Sequence, residues 1–280
     1  MSELKPLPPI LTAHLFRVIE RKLLELLRSL SLDDWERQTV SPRWKVKDVA
    51  AHLLDTQLRK LSLARDGYVA EQPDIRSPRD LAAFINGMNE EGVRTYRRLS
   101  PAVLIDMMEL ASRQSAAYHQ SLDPFAPAMF GVSWAGEQQS LNWFDTAREF
   151  TERWHHQQQI RMAVNCPGIM TRELYHPVLD CFMRALPFSY RNLSAEAETL
   201  LRFNVAGECG GSWFLLRDDR AWQLVAEPHG KKRSEVTIPQ EIAWRIFTKG
   251  IDRASAAAQI GVEGDRDLGL HVLSTIAIVA

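Results

Sequence analysis

The stretch Ser140-Leu-Asn-Trp-Phe-Asp-Thr-Ala-Arg-Glu-Phe-Thr-Glu-Arg-Trp-His-His-Gln-Gln-Gln-Ile-Arg-Met-Ala-Val164 reads as one long helix. Phe144, Ala147, Phe150, Thr151, Trp154 and Met162 fall on one arc at helical spacing. Cys166-Pro167-Gly168 breaks the helix. Working back from it, the sequence gives more of the same. Leu11 to Leu30 carries an amphipathic stripe of Leu15, Phe16, Ile19, Leu23, Leu26, Leu27 and Leu30. After a connector from Leu32 to Pro42, a second helix starts near Lys45 and runs to about Arg65. Val46, Val49, Ala50, Leu53, Gln57 and Leu61 fall along one face, with Leu54 beside it and Gly67 as the stop. Asp80 to Leu99 is a third helical stretch, and Ser100-Pro101 opens its continuation to Leu122. Asp123 to Gln139, with two prolines and two glycines, is a loop. Four main helices joined in this way predict a four-helix bundle.

Downstream the period changes. Arg172 to Leu186 reads as one more helix. Short β-like runs follow at Leu200–Ala206, Ser212–Arg217, Ala221–Ala226 and Ser234–Ile238, with turns at Gly210-Gly211 and Asp218-Asp219. Lys231-Lys232-Arg233 reads as a solvated turn. Pro239 opens a helix, Gln240 to Lys249, which Gly250 closes, and Leu268 to Val279 reads as a terminal helix. The fold class is therefore α+β in two domains, residues 1–168 and 169–280. No internal repeat or low-complexity segment is present.

Composition narrows the function classes. The 280 residues carry 34 Lys+Arg against 35 Asp+Glu, a formal net charge of −1, so no global field favours nucleic acid. Hydrophobic residues are 45%, enough for sizeable cores. Cys166, Cys181 and Cys209 show no CxxC spacing and are too few for a disulfide framework. Residues 1–9 lack an apolar leader core, and no segment approaches 18 apolar residues. The expectation is a soluble protein of the reducing cytoplasm, with no membrane or nucleic-acid partner.

Two places could carry chemistry. Glu152 and His156 are four apart and stack on one helix face, with Asp145, Glu149 and Gln159 near it. A carboxylate and an imidazole from one helical turn can chelate zinc or nickel, and a third ligand from another helix would complete the site. The same spacing also suits a solvated polar face with an ordinary Glu–His pair. His52 flanks the apolar stripe of the second helix, where it either points into a cleft or sits half-exposed. Trp35, Trp44, Trp143 and Trp154 read as core anchors. Cys166 reads as structural, since nothing in its surroundings lowers a thiol pKa.

Trp44-Lys-Val-Lys-Asp-Val-Ala-Ala-His52-Leu-Leu-Asp55 resembles the second-helix signature of the DinB-like metal-binding bundles, and more closely that of the mycothiol-dependent maleylpyruvate isomerase family. Glu152-Arg-Trp-His-His156-Gln-Gln-Gln-Ile-Arg161 resembles the helix carrying the other ligands. Ile242-Ala-Trp-Arg-Ile-Phe-Thr-Lys-Gly250 and Val262-Glu-Gly-Asp265 resemble the family's second domain, which is similar to the sterol carrier protein fold. The resemblance implies a DinB-like bundle followed by a mixed α/β domain. It implies a metal site of His52, Glu152 and His156, holding zinc, with nickel as the alternative. A low-molecular-weight thiol such as mycothiol would be the cofactor. Its thiolate would add to a maleylpyruvate-like double bond and permit rotation, and elimination of the thiolate would then give the trans isomer; related proteins look like S-transferases.

The sequence departs from the pattern where Gln157, Gln158 and Gln159 follow the paired histidines in place of an acid. If the histidine pair sets the register, His155 becomes the ligand and Thr151 faces the metal, a poorer arrangement because Thr151 is a weak ligand. Arg245 lies in a matched motif and either binds an anion or salt-bridges on its helix. The expected partners are a small substrate and the thiol, and an exposed helix face could pair two copies into a homodimer. The alternative is a non-catalytic metal-binding or scaffold protein, with an apolar-ligand site in the C-terminal domain.

Overall fold

The computed structural model describes residues 5–278, which divide into two compact units. One comprises Leu11–Met129 and Leu141–Ile169, the other residues 5–10, Phe130–Ser140 and Met170–Ile278. The first is helical: α1 (Phe16–Ser29), α2 (Leu32–Trp35), α3 (Val46–Lys60), α4 (Pro78–Tyr96), α5 (Pro101–Ser121) and α6 (Asn142–Ala163). The stripe read from the sequence is the inner face of α1, since Phe16, Ile19, Leu23, Leu26 and Leu27 are buried. The bundle is α1, α3, α5 and α6. Both α1 and α3 pack on α5 and α6, and α4 lies along α3.

Ser100 and Pro101 separate α4 from α5 at the point where the sequence opens the continuation. The Ser100 hydroxyl accepts the Val103 N–H and Pro101 takes the first helical position, so α5 starts afresh. The new start gives α5 a buried face of Leu104, Ile105, Met108 and Ala111, whereas α4 buries only Gly92 and Val93. The second expected helix also ends early as an α-helix, at Lys60, and continues as a π-helical turn over Leu61–Arg65. Met162, expected on the inner arc of α6, is 40% exposed.

The second unit contains α7 (Arg172–Met183), α8 (Leu186–Tyr190), β1 (Thr199–Ala206), β2 (Gly211–Arg217), β3 (Trp222–Val225), β4 (Lys231–Pro239), α9 (Gln240–Phe247), α10 (Arg253–Ala257), β5 (Gly261–Gly264) and α11 (Arg266–Leu270). The strands form one mixed sheet in the order β3-β2-β1-β4-β5. Within it β1 runs parallel to β4, and every other neighbouring pair is antiparallel. Alternation puts Leu201, Phe203, Val205, Trp213, Leu215, Trp222, Val236 and Ile238 into the core. Leu200, Leu216 and Val225 form a smaller cluster on the other face. Helix α9 covers β1 and β4, α11 covers β4 and β5, and α8 packs on β3.

Three expectations are corrected here. Lys231-Lys232-Arg233 is not a turn but the exposed start of β4, because β1 pairs with it from Thr199 onward. The single helix from Arg172 to Leu186 ends at Met183 as α7, and α8 follows. The terminal helix from Leu268 is α11 followed by a 3-10 turn over His271–Ser274; the remainder is not helical, and Val279 lies outside the described residues. Among the described residues no helix is long and apolar enough to cross a membrane.

Candidate metal centre

Helix α6 carries the charged and amide side chains of Asp145, Arg148, Glu149, Glu152, Arg153 and Gln157 to Gln159, yet 16 of its residues are buried. Its polar groups are therefore interior groups that need partners. Helix α3 supplies many of them. Thr56 Oγ1 accepts from Arg153 at 2.8 Å, and Lys60 Nζ lies 2.7 Å from Asp145 and 3.4 Å from Glu149. His52 meets His156 with ring centroids 4.6 Å apart. As residue numbers rise along α3 they fall along α6, so the two helices run antiparallel and share a polar seam.

At the His52 end of the seam, Glu152, His155 and His156 each offer a ligand atom, and these atoms all lie within 4.8 Å of one another. Glu152 Oε2 is 3.5 Å from His156 Nε2. The Nδ1 of His155 donates to the Thr151 carbonyl at 3.0 Å, and that of His156 donates to Gln159 Oε1 at 2.9 Å. In each ring this leaves Nε2 as the lone-pair atom. His52 is 4% exposed, and its Nδ1 is buried without a hydrogen-bond partner. Trp44, half-buried, lies over both rings, 4.6 Å from His52 and 5.8 Å from His156.

Electrostatics keep His52, His155 and Glu152 in ligating form. Burial, then the neighbouring His156 and Arg59, hold His52 well below its ordinary pKa. Burial, reinforced by His156, depresses His155 to about 4. Burial pushes the Glu152 carboxyl up, but His155, His156 and Arg148 outweigh it and bring Glu152 down to about 2. At neutral pH the site thus presents the Glu152 carboxylate together with neutral imidazoles at His52 and His155.

These residues fit a divalent metal. The donors are one carboxylate oxygen and imidazole nitrogens, a set suited to zinc or nickel. The orphaned Nδ1 of His52 is a buried acceptor or donor left without a partner. The His52 ring lies 4.6 Å from that of His156, whereas the ligand atoms gathered within 4.8 Å are those of Glu152, His155 and His156. His52 is buried and not half-exposed, and a partly exposed Glu152 stands beside a buried His156. His155 is gathered into the same cluster.

Asp145 and Glu149 are not part of it, because Lys60 and Arg148 bind both and Arg153 reaches Glu149 at 3.8 Å. Arg245 is turned inward to its own helix end, its Nε donating to the Gly250 carbonyl at 2.9 Å. Cys166 is exposed. Of the aromatic anchors, Trp35 and Trp154 are buried, whereas Trp44 and Trp143 are only partly so. The sequence reading missed the ionic part of the seam. Its signal is the series His52, Thr56, Lys60 at a spacing of four on α3.

Comparison with known proteins bears on this helical unit. Among curated proteins none matches the sequence. Two solved structures resemble the chain: crystal structures of the mycothiol-dependent maleylpyruvate isomerase, at 12% identity and a TM-score of 0.47, and of a mutant of it, at 11% and 0.49. Each alignment covers 84% of this chain and 86% of the other. The family model of the mycothiol maleylpyruvate isomerase N-terminal domain matches residues 16–161, a span that begins with α1 and takes in α3, α5 and nearly all of α6. With more than half of its length matched, the chain belongs to the mycothiol maleylpyruvate isomerase N-terminal domain family.

Proposed function

We propose that the protein is a metal-dependent enzyme that uses a low-molecular-weight thiol, mycothiol or a close relative, for isomerase or S-transferase chemistry on a small electrophile of the maleylpyruvate type. The observation that supports this reading is that Glu152 and His156 gather with His155 on one helix of the matched domain, and that the buried His52 of a second helix lies ring to ring 4.6 Å from His156. A bound divalent metal would supply the Lewis acidity that turns a thiol into a thiolate at neutral pH.

The protein's own groups do the rest. Glu152 and the lone pairs of His52 and His156 would hold the ion, with zinc the expected one and nickel the alternative. Trp44 covers the two histidine rings and keeps bulk water from that side. With a single carboxylate among the three ligands, a dication leaves residual positive charge for an anionic thiolate. That local charge matters because the chain's net charge of −1 supplies no field to draw an anion in.

The test is metal content by mass spectrometry in wild type and His156→Ala, together with turnover of a panel of electrophiles with and without added thiol. The proposal expects close to one equivalent of metal in wild type, its loss in the variant, and turnover that requires thiol. Absence of metal from both proteins sinks it. Metal retained without thiol-dependent turnover would instead assign a metal-binding scaffold.

A further inference from the structure

His155 and His156 differ in what holds them. The Nδ1 of His155 shares the Thr151 carbonyl, four residues back, with the helix's own hydrogen-bond ladder. A buried histidine in a helix satisfied in this way needs no further explanation. The Nδ1 of His156 has a dedicated partner, the Gln159 amide oxygen at 2.9 Å. Gln159 is 8% exposed, so no bulk water stands ready to replace that bond. An amide oxygen only accepts, so it requires the proton on Nδ1 and turns Nε2 toward Glu152, which lies 3.5 Å away. Three residues of helix separate the pair, so the bond is built into one turn and fixes the ring plane as well as the tautomer.

We infer that Gln159 is a positioning residue for the metal centre: it fixes the His156 ring and its tautomer so that His156 binds through Nε2. The inference rests on the metal centre proposed above. Gln159 does its work without charge. A carboxylate at this position would accept the same bond but would cancel one unit of positive charge beside the ion. The neutral amide therefore orients the imidazole and leaves the centre attractive to anions.

Zinc affinity measured by chelator competition tests this without any substrate. The variants are Gln159→Met, which keeps the volume but has no acceptor, and Gln159→Glu, which keeps the acceptor. Gln159→Met is expected to weaken zinc binding ten- to hundred-fold, the range for loss of an outer hydrogen bond to a metal-bound histidine. Gln159→Glu is expected to bind zinc at least as tightly as wild type. A pure packing role predicts the reverse ranking, because methionine fills the space and a buried carboxylate disturbs it. Equal affinity in wild type and Gln159→Met overturns the inference while leaving the centre intact. No zinc binding by wild type overturns the centre, and this inference with it.

A second measurement stands even if Gln159→Met does not fold. Long-range nitrogen–proton spectra of the metal-free wild type are expected to show His156 protonated on Nδ1. Protonation on Nε2 overturns the inference.

Discussion

The seam between α3 and α6 has two ends, and they are built on opposite plans. At the Lys60 end every charge is matched. Asp145 and Glu149 are held by Lys60 and Arg148, and Arg153 stands between Glu149 at 3.8 Å and Glu20 at 3.3 Å. Glu20 also accepts from Gln57 and Ser112, both at 3.0 Å. At the His52 end the same two helices leave groups unmatched: a carboxylate facing histidines and a buried ring nitrogen with no partner. A paired carboxylate has its lone pairs and its charge committed, so it specifies packing. A carboxylate that faces imidazoles and no lysine or arginine keeps both available, so it can bind a cation. One seam thus supplies a rigid frame at one end and an open donor set at the other.

The contrast can be broken from either end, and the largest effect belongs to the frame. Arg153→Met leaves Glu20 and Glu149 buried without their shared cation. It is expected to destabilise the protein by about 3–5 kcal/mol, read as a lower urea midpoint. A loss below 1 kcal/mol would mean that the ion pairs there are not structural.

His119 comes next. It is 1% exposed, stacks on Phe16 with centroids 4.3 Å apart, and has neither ring nitrogen hydrogen-bonded. Lys60, Glu149, Asp145 and Arg153 are the charged groups that face it, with Tyr118 beside it in α5. Burial is the main reason its pKa falls to about 4. The unfolded chain takes up this proton near pH 6.5, whereas the native state does so only near 4. Stability from this group is therefore complete above pH 6.5 and is lost as pH falls toward 4, by about 3 kcal/mol. His52 and His155 add acid sensitivity of the same sign, so the difference between wild type and His119→Phe isolates His119. Urea midpoints across this range are expected to fall less steeply in the variant, and parallel curves would refute the assignment.

Gly92 tests how closely α4 is laid on α3. A Cβ there would stand 2.2 Å from Asp55 Cγ. Gly92→Ala is expected to cost about 1–3 kcal/mol, measured by thermal unfolding, and an unchanged midpoint would show that α4 shifts freely.

The smallest effect belongs to the open end. Glu152→Gln removes a partly exposed carboxylate that faces histidines, with Arg148 acting only from further off, so metal-free stability is expected to fall by about 1–2 kcal/mol. Added zinc is expected to stabilise wild type by about 2.7 kcal/mol at a hundred times its Kd and to leave Glu152→Gln where it was. Stabilisation of both proteins alike would place the ion elsewhere.

What the sequence discloses about this molecule follows from the range of the interactions. The stripes of α1 and α3 are local patterns of apolar residues, and they can be read without knowing what they face. The histidine and carboxylate of the candidate centre are legible for the same reason, being four residues apart on one helix. The burial of α6 is not legible, because Glu-Arg-Trp-His-His-Gln-Gln-Gln is polar by composition. Only Lys60, Glu20 and Thr56, roughly a hundred residues away in the chain, make an interior of it. Strand β5 was missed because Gly-Val-Glu-Gly has almost no β-propensity; its place comes from pairing with β4. Lys231 to Arg233 read as a turn because strong local polarity hides an edge of backbone pairing.

The parallel pairing of β1 with β4 has a consequence in time. Strands β1, β2 and β3 are successive antiparallel neighbours joined by short turns, so each register is found locally. Strand β4 reaches β1 only after the chain from Gly207 to Gly230 has been closed into a loop, against Gly207 to Gly210 for β2. Closing a loop about six times as long costs roughly 1.5 kcal/mol more in chain entropy, and non-local pairing of this kind slows folding. The three-stranded meander is thus the platform that forms first. Docking of β4 sets the pace of the sheet, and β5, which touches no other strand, waits for it.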